Sequence, residues 1–171
     1  LMNAFSPGGS YLYNEEDYPS ASEASRIIDN AGIGNFDITQ LNKKLAGKLV
    51  GVSPYISELY EGMNGSSSPK DLETFFQLIH LYFTQPRKDK QAFQSFIAKQ
   101  KSIYSNIMYN PNFWFSNEVS KIMYNNHPRK GMASFEDLEK INHQTEEFTS
   151  KYNPVRSRHC IVNSTDSSVS F

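Results

Sequence analysis

The stretch SSPKDLETFFQLIHLYFTQP, residues 67–86, decides the fold. It opens with Ser67 or Ser68 as a helix cap and Pro69 just inside, carries acids in the first turn, and sets Leu72, Phe75, Phe76, Ile79 and Phe83 on one stripe. A helix with so apolar a stripe must pack against something apolar. The segment before it, KLVGVSPYISELYEGMNGSSS (48–68), is rich in Val, Ile and Tyr, has Pro54 in its middle and ends in Gly and Ser. That composition predicts two strands around a bend.

Upstream, LMNAF (1–5) reads as a strand that stops at the turn SPGGS. DYPSASEASRIIDNAGIG (17–34) has helix punctuation: a Pro near its first turn, Glu23 early, and Gly32 after the last apolar pair. A short helix follows over DITQLNKKLAG (37–47), capped by Asp37 or Thr39 and stopped by Gly47, with Ile38, Leu41 and Leu45 at helical spacing. Downstream, residues 88–110 predict a helix built on Phe93, Phe96, Ile97, Ile103, Ile107 and Met108 and stopped by Pro111. NPNFWFSNEVSKIMYNNHP (110–128) gives another, ended by Pro128. Ser134, three residues before Asp137, starts one more helix or a broken pair. The tail has a possible strand at HCIV (159–162) and is otherwise irregular in composition. The default place for Phe75, Phe76, Phe93, Phe96 and Trp114 is the core.

This order of elements predicts an α+β two-layer sandwich, an antiparallel sheet with helices packed on one face. A parallel doubly wound sheet fits less well, because it needs strands alternating singly with helices. With 171 residues the chain makes one domain, residues 1–150, followed by a tail over 151–171. Leu1 runs directly into a strand-like stretch, which reads as a fragment truncated at its N-terminus. The formal net charge of -1 gives no pull toward nucleic acid or an anionic membrane, so neither is expected as a partner. No run approaches the roughly 18 apolar residues of a membrane helix. The single cysteine, Cys160, excludes an internal disulfide framework and a cysteine-rich zinc cluster.

HQTEE, residues 143–147, is one letter from H-x-x-E-H, the inverted zinc motif of some metallopeptidases. Two imidazoles four apart on a helix reach one zinc ion, and His80, His127, His143 and His159 are never four apart. Glu147 stands where the second histidine belongs, so the stretch reads as an acidic, solvated helix face. His80, inside the most apolar helix, is expected to be partly buried and hydrogen-bonded. His127, beside Arg129 and Lys130, reads as a basic loop tip. The glycines and hydroxyls of GMNGSSSPKD (62–71) precede a helix start that can hold an anion, but the lysine and glycine spacing of a phosphate loop is missing, so a capped start is the better reading. No G-x-S-x-G is present, and no hydrolase triad can be assigned.

One long segment is more specific than these motifs. The runs SPGG, LAGK, VSPYI, EGMNGSSSPKDLET and LYFTQPRKD lie within residues 4–89. They closely resemble the pitrilysin or insulinase family of zinc metallopeptidases, in its bacterial zinc protease branch. The resemblance spans roughly residues 3–130 and cannot be followed beyond about 150. Such a family member has homologous halves, each an α+β sandwich, facing each other across a chamber; only the first half carries H-x-x-E-H and a distant glutamate. The chain is similar to the second, metal-free half. By order of elements the counterpart of the zinc helix is residues 18–30, which contain no histidine, and the counterpart of the glutamate helix is residues 90–109, where no acid stands between Asp89 and Glu118. The resemblance therefore implies no catalytic and no metal-binding residue here, and zinc only in the catalytic half of the parent protein.

Implied partners are that half, on the same or another chain, and an unfolded peptide. The implied role is one wall of the peptide chamber, with halves that open and close to gate access. Candidates for the chamber-facing surface are Ser53, Tyr55, Glu61, Gly65, Ser66 and Ser67, where the likeness is densest. Family resemblance alone suggests a periplasmic or secreted setting. Two other readings stand beside this one. The chain belongs to a structural relative, such as a processing-peptidase-like core subunit, with no active partner; or HQTEE with His159 or His127 binds zinc and makes this piece an enzyme by itself.

Overall fold

The computed structural model of the chain describes residues 1–107, 109–130, 135–141 and the backbone of 161–164. Strand β1 (Met2–Pro7) is followed by helices α1 (Tyr18–Ala31) and α2 (Ile38–Leu45), strands β2 (Val50–Ile56) and β3 (Tyr60–Ser67), helices α3 (Leu72–Thr84), α4 (Lys90–Ile107), α5 (Pro111–Met123) and α6 (Phe135–Lys140), and strand β4 (Ile161–Ser164). Among the described residues the strands form one antiparallel sheet in the order β2-β3-β1-β4. Helices pack on one of its faces, which is the expected α+β two-layer sandwich. β4 overlaps the tail strand expected at 159–162, shifted toward the C-terminus; His159 and Cys160 lie outside the described residues.

The sheet and the first helical layer meet in a core of Ile28, Ile33, Leu41, Val52, Met63, Phe75, Leu78 and Tyr82. A second core of Ile27, Phe96, Leu138 and Ile141 contains no strand residue and joins α1 to α4 and α6. Neighbouring residues Ile27 and Ile28 thus point α1 into both cores, and α4 and α6 lie behind it.

Local signals set the boundaries. Asp37 and Gln40 form a reciprocal capping box at the start of α2. Gly32, at φ 88°, closes α1 in a conformation that side chains resist. In the SPGGS turn, Gly9 has φ 93°, and a Cβ there would stand 2.5 Å from the Ser57 carbonyl oxygen.

Several expectations are corrected. Pro54 lies inside β2, not at the bend, which is at Ser57–Leu59. The Ser57 N–H donates to the Tyr60 carbonyl at 2.8 Å, so alternation along the hairpin turns Pro54 away from β3. A residue with no N–H fits the outer side of an outermost strand. Ser68 precedes a 3-10 turn at Pro69–Asp71 and makes no side-chain cap; its hydroxyl instead donates to Asp71 at 2.7 Å, and Asp71 also accepts from the Leu49 N–H at 2.9 Å. The buried stripe of α3 is Phe75, Leu78 and Tyr82, rotated from the expected one, and Leu72, Phe76 and Phe83 are exposed. Trp114 is also exposed, as no residue of α5 is buried. That helix ends at Met123, where Asn125 and Asn126 take positive φ, well before Pro128.

Candidate functional site

Strand alternation puts Val52, Met63 and Ala4 against the helices and turns their neighbours to the other face. On that open face Asn3, Asn64 and Ser53 share one cross-strand row, and Phe5, Gly62 and Tyr55 share the next. Asn3, Ser53, Asn64 and Ser66 are exposed. With Gly51 and Leu1 they line a shallow groove of about 720 Å³. The Tyr55 hydroxyl donates to Asn3 Oδ1 at 3.4 Å, and Phe5 meets Tyr60 edge to face at 5.9 Å. The groove presents amides, hydroxyls, backbone and the Leu1 side chain, with no ionisable side chain among the described residues of its lining. Such groups donate to and accept from peptide units without regard to side-chain charge.

The six chamber candidates therefore divide. Ser53, Tyr55 and Ser66 lie on the open face, whereas Glu61, Gly65 and Ser67 alternate to the helix side, Gly65 bordering the groove without a side chain. Glu61 sits under the Gly8–Gly9 turn, where burial raises its pKa and a hydrogen bond from the Gly9 N–H acts in the opposite direction. Gly65 is the seat of the Phe75 ring, whose Cε2 would stand 2.5 Å from a Cβ at that position. The Ser67 hydroxyl is spent on the Ser68 carbonyl at 2.8 Å. Sequence reasoning missed Asn3, Phe5 and Asn64. Period-two alternation along β1 and β3 carries them, but only the register shows that they meet Ser53 and Tyr55.

The two helices that the resemblance set against a zinc-bearing pair are α1 and α4. On α1, Glu23 is 2.8 Å from the Arg26 guanidinium. Asp29 accepts a hydrogen bond from the Tyr82 hydroxyl at 3.0 Å. Burial pushes the Asp29 carboxyl up to about 6, against the hydrogen bond from Tyr82. The Tyr82 phenol is itself pushed up, first by burial and then by the charge of Asp29. Facing Glu23 across the cleft behind α1, α4 offers Gln100 and Tyr104. One guanidinium-paired carboxylate, with no imidazole and no acid from α4, does not fit a zinc ion. Among the described residues no group of three His, Cys, Asp or Glu side chains stands close enough to hold a metal. HQTEE and His159 lie outside the described residues.

His80 is exposed, contrary to expectation, because it stands on the side of α3 opposite the buried stripe of Phe75, Leu78 and Tyr82. His127 is exposed too, but Arg129 and Lys130 do not form a basic tip. Arg129 donates to the Ser10, Tyr13 and Glu15 oxygens at 3.4, 2.6 and 3.2 Å and lies 4.9 Å over the Tyr18 ring. Lys130 pairs with Glu58 at 3.0 Å. The two cations tie the segment after α5 to the start of the chain and to the β2–β3 hairpin.

No family model and no curated protein matches the chain. Solved protease structures do match its fold. The periplasmic protease PqqL from Escherichia coli aligns with a TM-score of 0.65 at 17% identity, over 84% of this chain and 16% of its own. A mutant of the ferredoxin protease FusC, in complex with Arabidopsis ferredoxin, aligns with a TM-score of 0.67 at 15% identity, over 90% and 17%. A protease from Helicobacter pylori aligns with a TM-score of 0.66 at 12% identity, over 94% and 39%. The chain has the α+β fold found within these proteases and spans between 16% and 39% of their lengths.

Proposed function

We propose that this chain is the non-catalytic half-domain of a zinc-dependent metalloendopeptidase of the pitrilysin type. It forms one wall of a peptide chamber that a homologous catalytic half, holding the zinc, closes from the other side. The observation that carries the reading is the open sheet face, a groove of neutral amides and hydroxyls beside the aromatic rings of Phe5, Tyr55 and Tyr60. An unfolded peptide placed there finds partners for its main chain and apolar surface for its side chains, with no charge to select one sequence over another.

The outer edge of the sheet supports a wall in preference to a cutting edge. Strand addition needs a full row of outward N–H and C=O groups, and Pro54 removes a donor from the middle of that row in β2. The peptide would lie across the face and leave backbone pairing near the zinc to the other half. The zinc ion, when bound in that half, would activate water; Ser53, Asn64 and Ser66 would only hold and orient the peptide and exclude solvent. The periplasmic protease among the structural neighbours supports a periplasmic or secreted setting.

Binding of a fluorescein-labelled, reduced and alkylated polypeptide to the full chain, followed by anisotropy, tests the reading. The wild type is expected to bind it, Asn64→Trp to bind about ten-fold more weakly by filling the groove, and neither to cleave it with or without added zinc. Cleavage that a chelator abolishes would show the chain to be an enzyme by itself. Equal binding by Asn64→Trp would remove the open face as the wall.

A further inference from the structure

A second cleft lies on the other side of α1, between α1, α4, α5 and α6, with a volume of about 830 Å³. That is within the range of about 300–1,000 Å³ typical of small-ligand sites. Its charged rim is internally neutralised: Glu23 with Arg26 at 2.8 Å, Glu15 with Arg129 at 3.2 Å, and Asp137 with Lys140 at 3.4 Å. Three carboxylates facing three cations leave no net attraction for an anion or a cation. One buried polar group in the lining stands out. Gln100 is only 5% exposed, borders the cleft, and its carboxamide has no hydrogen-bond partner among the described residues. Its amide opens onto the cleft and is served there by water, which a ligand amide that pairs with it replaces. Tyr104, one helical turn on, presents its phenol to the same cleft, and Ile107 and Phe113 provide an apolar wall.

We infer that this cleft is a second binding site, for an uncharged peptide segment that pairs one amide unit with the carboxamide of Gln100 and rests an apolar side chain on Ile107 and Phe113. A carboxamide has one acceptor and two donors in a plane, and the group that matches both is another amide. The site does not depend on the open sheet face, from which α1 separates it.

The test is an NMR titration of the full chain with acetyl-leucyl-glutaminyl-alanine amide, following the side-chain NH₂ resonances of Gln100. Those resonances are expected to shift saturably. Gln100→Leu is expected to weaken binding about ten-fold or more while leaving the chain folded, as its melting temperature reads. If that variant does not fold, Gln100→Met, an unbranched apolar replacement, is expected to show the same loss. Asn64→Trp, which blocks the sheet groove, is expected to leave this titration unchanged and so separates the two sites. Unmoved Gln100 resonances at saturating peptide, or equal affinity in the apolar variants, would overturn the inference. Tighter binding of the same peptide with free termini would overturn the assignment to an uncharged ligand.

Discussion

Burial beside Tyr82 holds the Asp29 carboxyl near 6, above its ordinary 3.8, so the folded chain binds a proton there more tightly than the unfolded chain does. The stabilisation from that proton is complete below about pH 4 and is lost as the pH rises through about 6. Asp29→Asn keeps the shape and removes the titration. Between about pH 4 and pH 7 the wild type is therefore expected to lose about 1–2 kcal/mol more stability than the variant, a figure reduced for partial solvent screening. Urea midpoints at the two pH values measure this; parallel pH profiles would contradict it. Gly65 provides a second check at this scale. It resembles a chamber residue in sequence and proves to be the space that Phe75 occupies. Gly65→Val is expected to cost about 1–3 kcal/mol through overpacking, read as a lower melting temperature, whereas Ser66→Val, on the open face, is expected to cost under about 0.5 kcal/mol.

Every helix that the sequence signals over the described residues is present, but the faces were less legible than the elements. Helix α3 is apolar nearly all round, so its composition admits more than one stripe. The sheet selects Phe75, Leu78 and Tyr82 because Gly65 opens a seat for the first and Asp29 holds the last. Thermal unfolding of two neighbouring variants checks this: Phe75→Ala is expected to cost about 3–5 kcal/mol, and Phe76→Ala, at an exposed position, under about 1 kcal/mol. Similar losses would mean the other stripe is buried. Pro54 misleads for a related reason. A proline in a strand reads as a break, yet on an outermost strand it costs no ladder hydrogen bond. Capping chemistry was only partly readable: Asp37, one of the two candidate caps, does cap α2, but its reciprocal bond with Gln40 was not read, and Ser68 makes no cap because its hydroxyl turns to Asp71. Asp37→Ala is expected to cost about 1 kcal/mol.

At the scale of the molecule, one helix divides two regions. Ile28 of α1 looks toward the sheet and Ile27 toward α4 and α6, so the peptide-sized groove and the neutral cleft lie on opposite sides of one structural unit. Arg129 binds the segment after α5 to the residues before α1, more than a hundred positions away in sequence. No local pattern announces such a contact, and a loop with Arg129 and Lys130 reads as a solvated tip until the fold brings Glu15 and Glu58 to it. The open face was half legible: the strands were plain, but their register, which joins Asn3 and Asn64 to Ser53, is a long-range property. The central claim is that this face receives an unfolded peptide that the chain itself does not cut. The most direct measurement is photo-crosslinking from a benzophenone placed at position 64, and in a control at exposed position 77 on α3, to a labelled unfolded polypeptide. The account predicts an intact-peptide adduct from position 64 and none above background from position 77; equal adducts from both positions, or an adduct carrying only cleaved peptide, would contradict it.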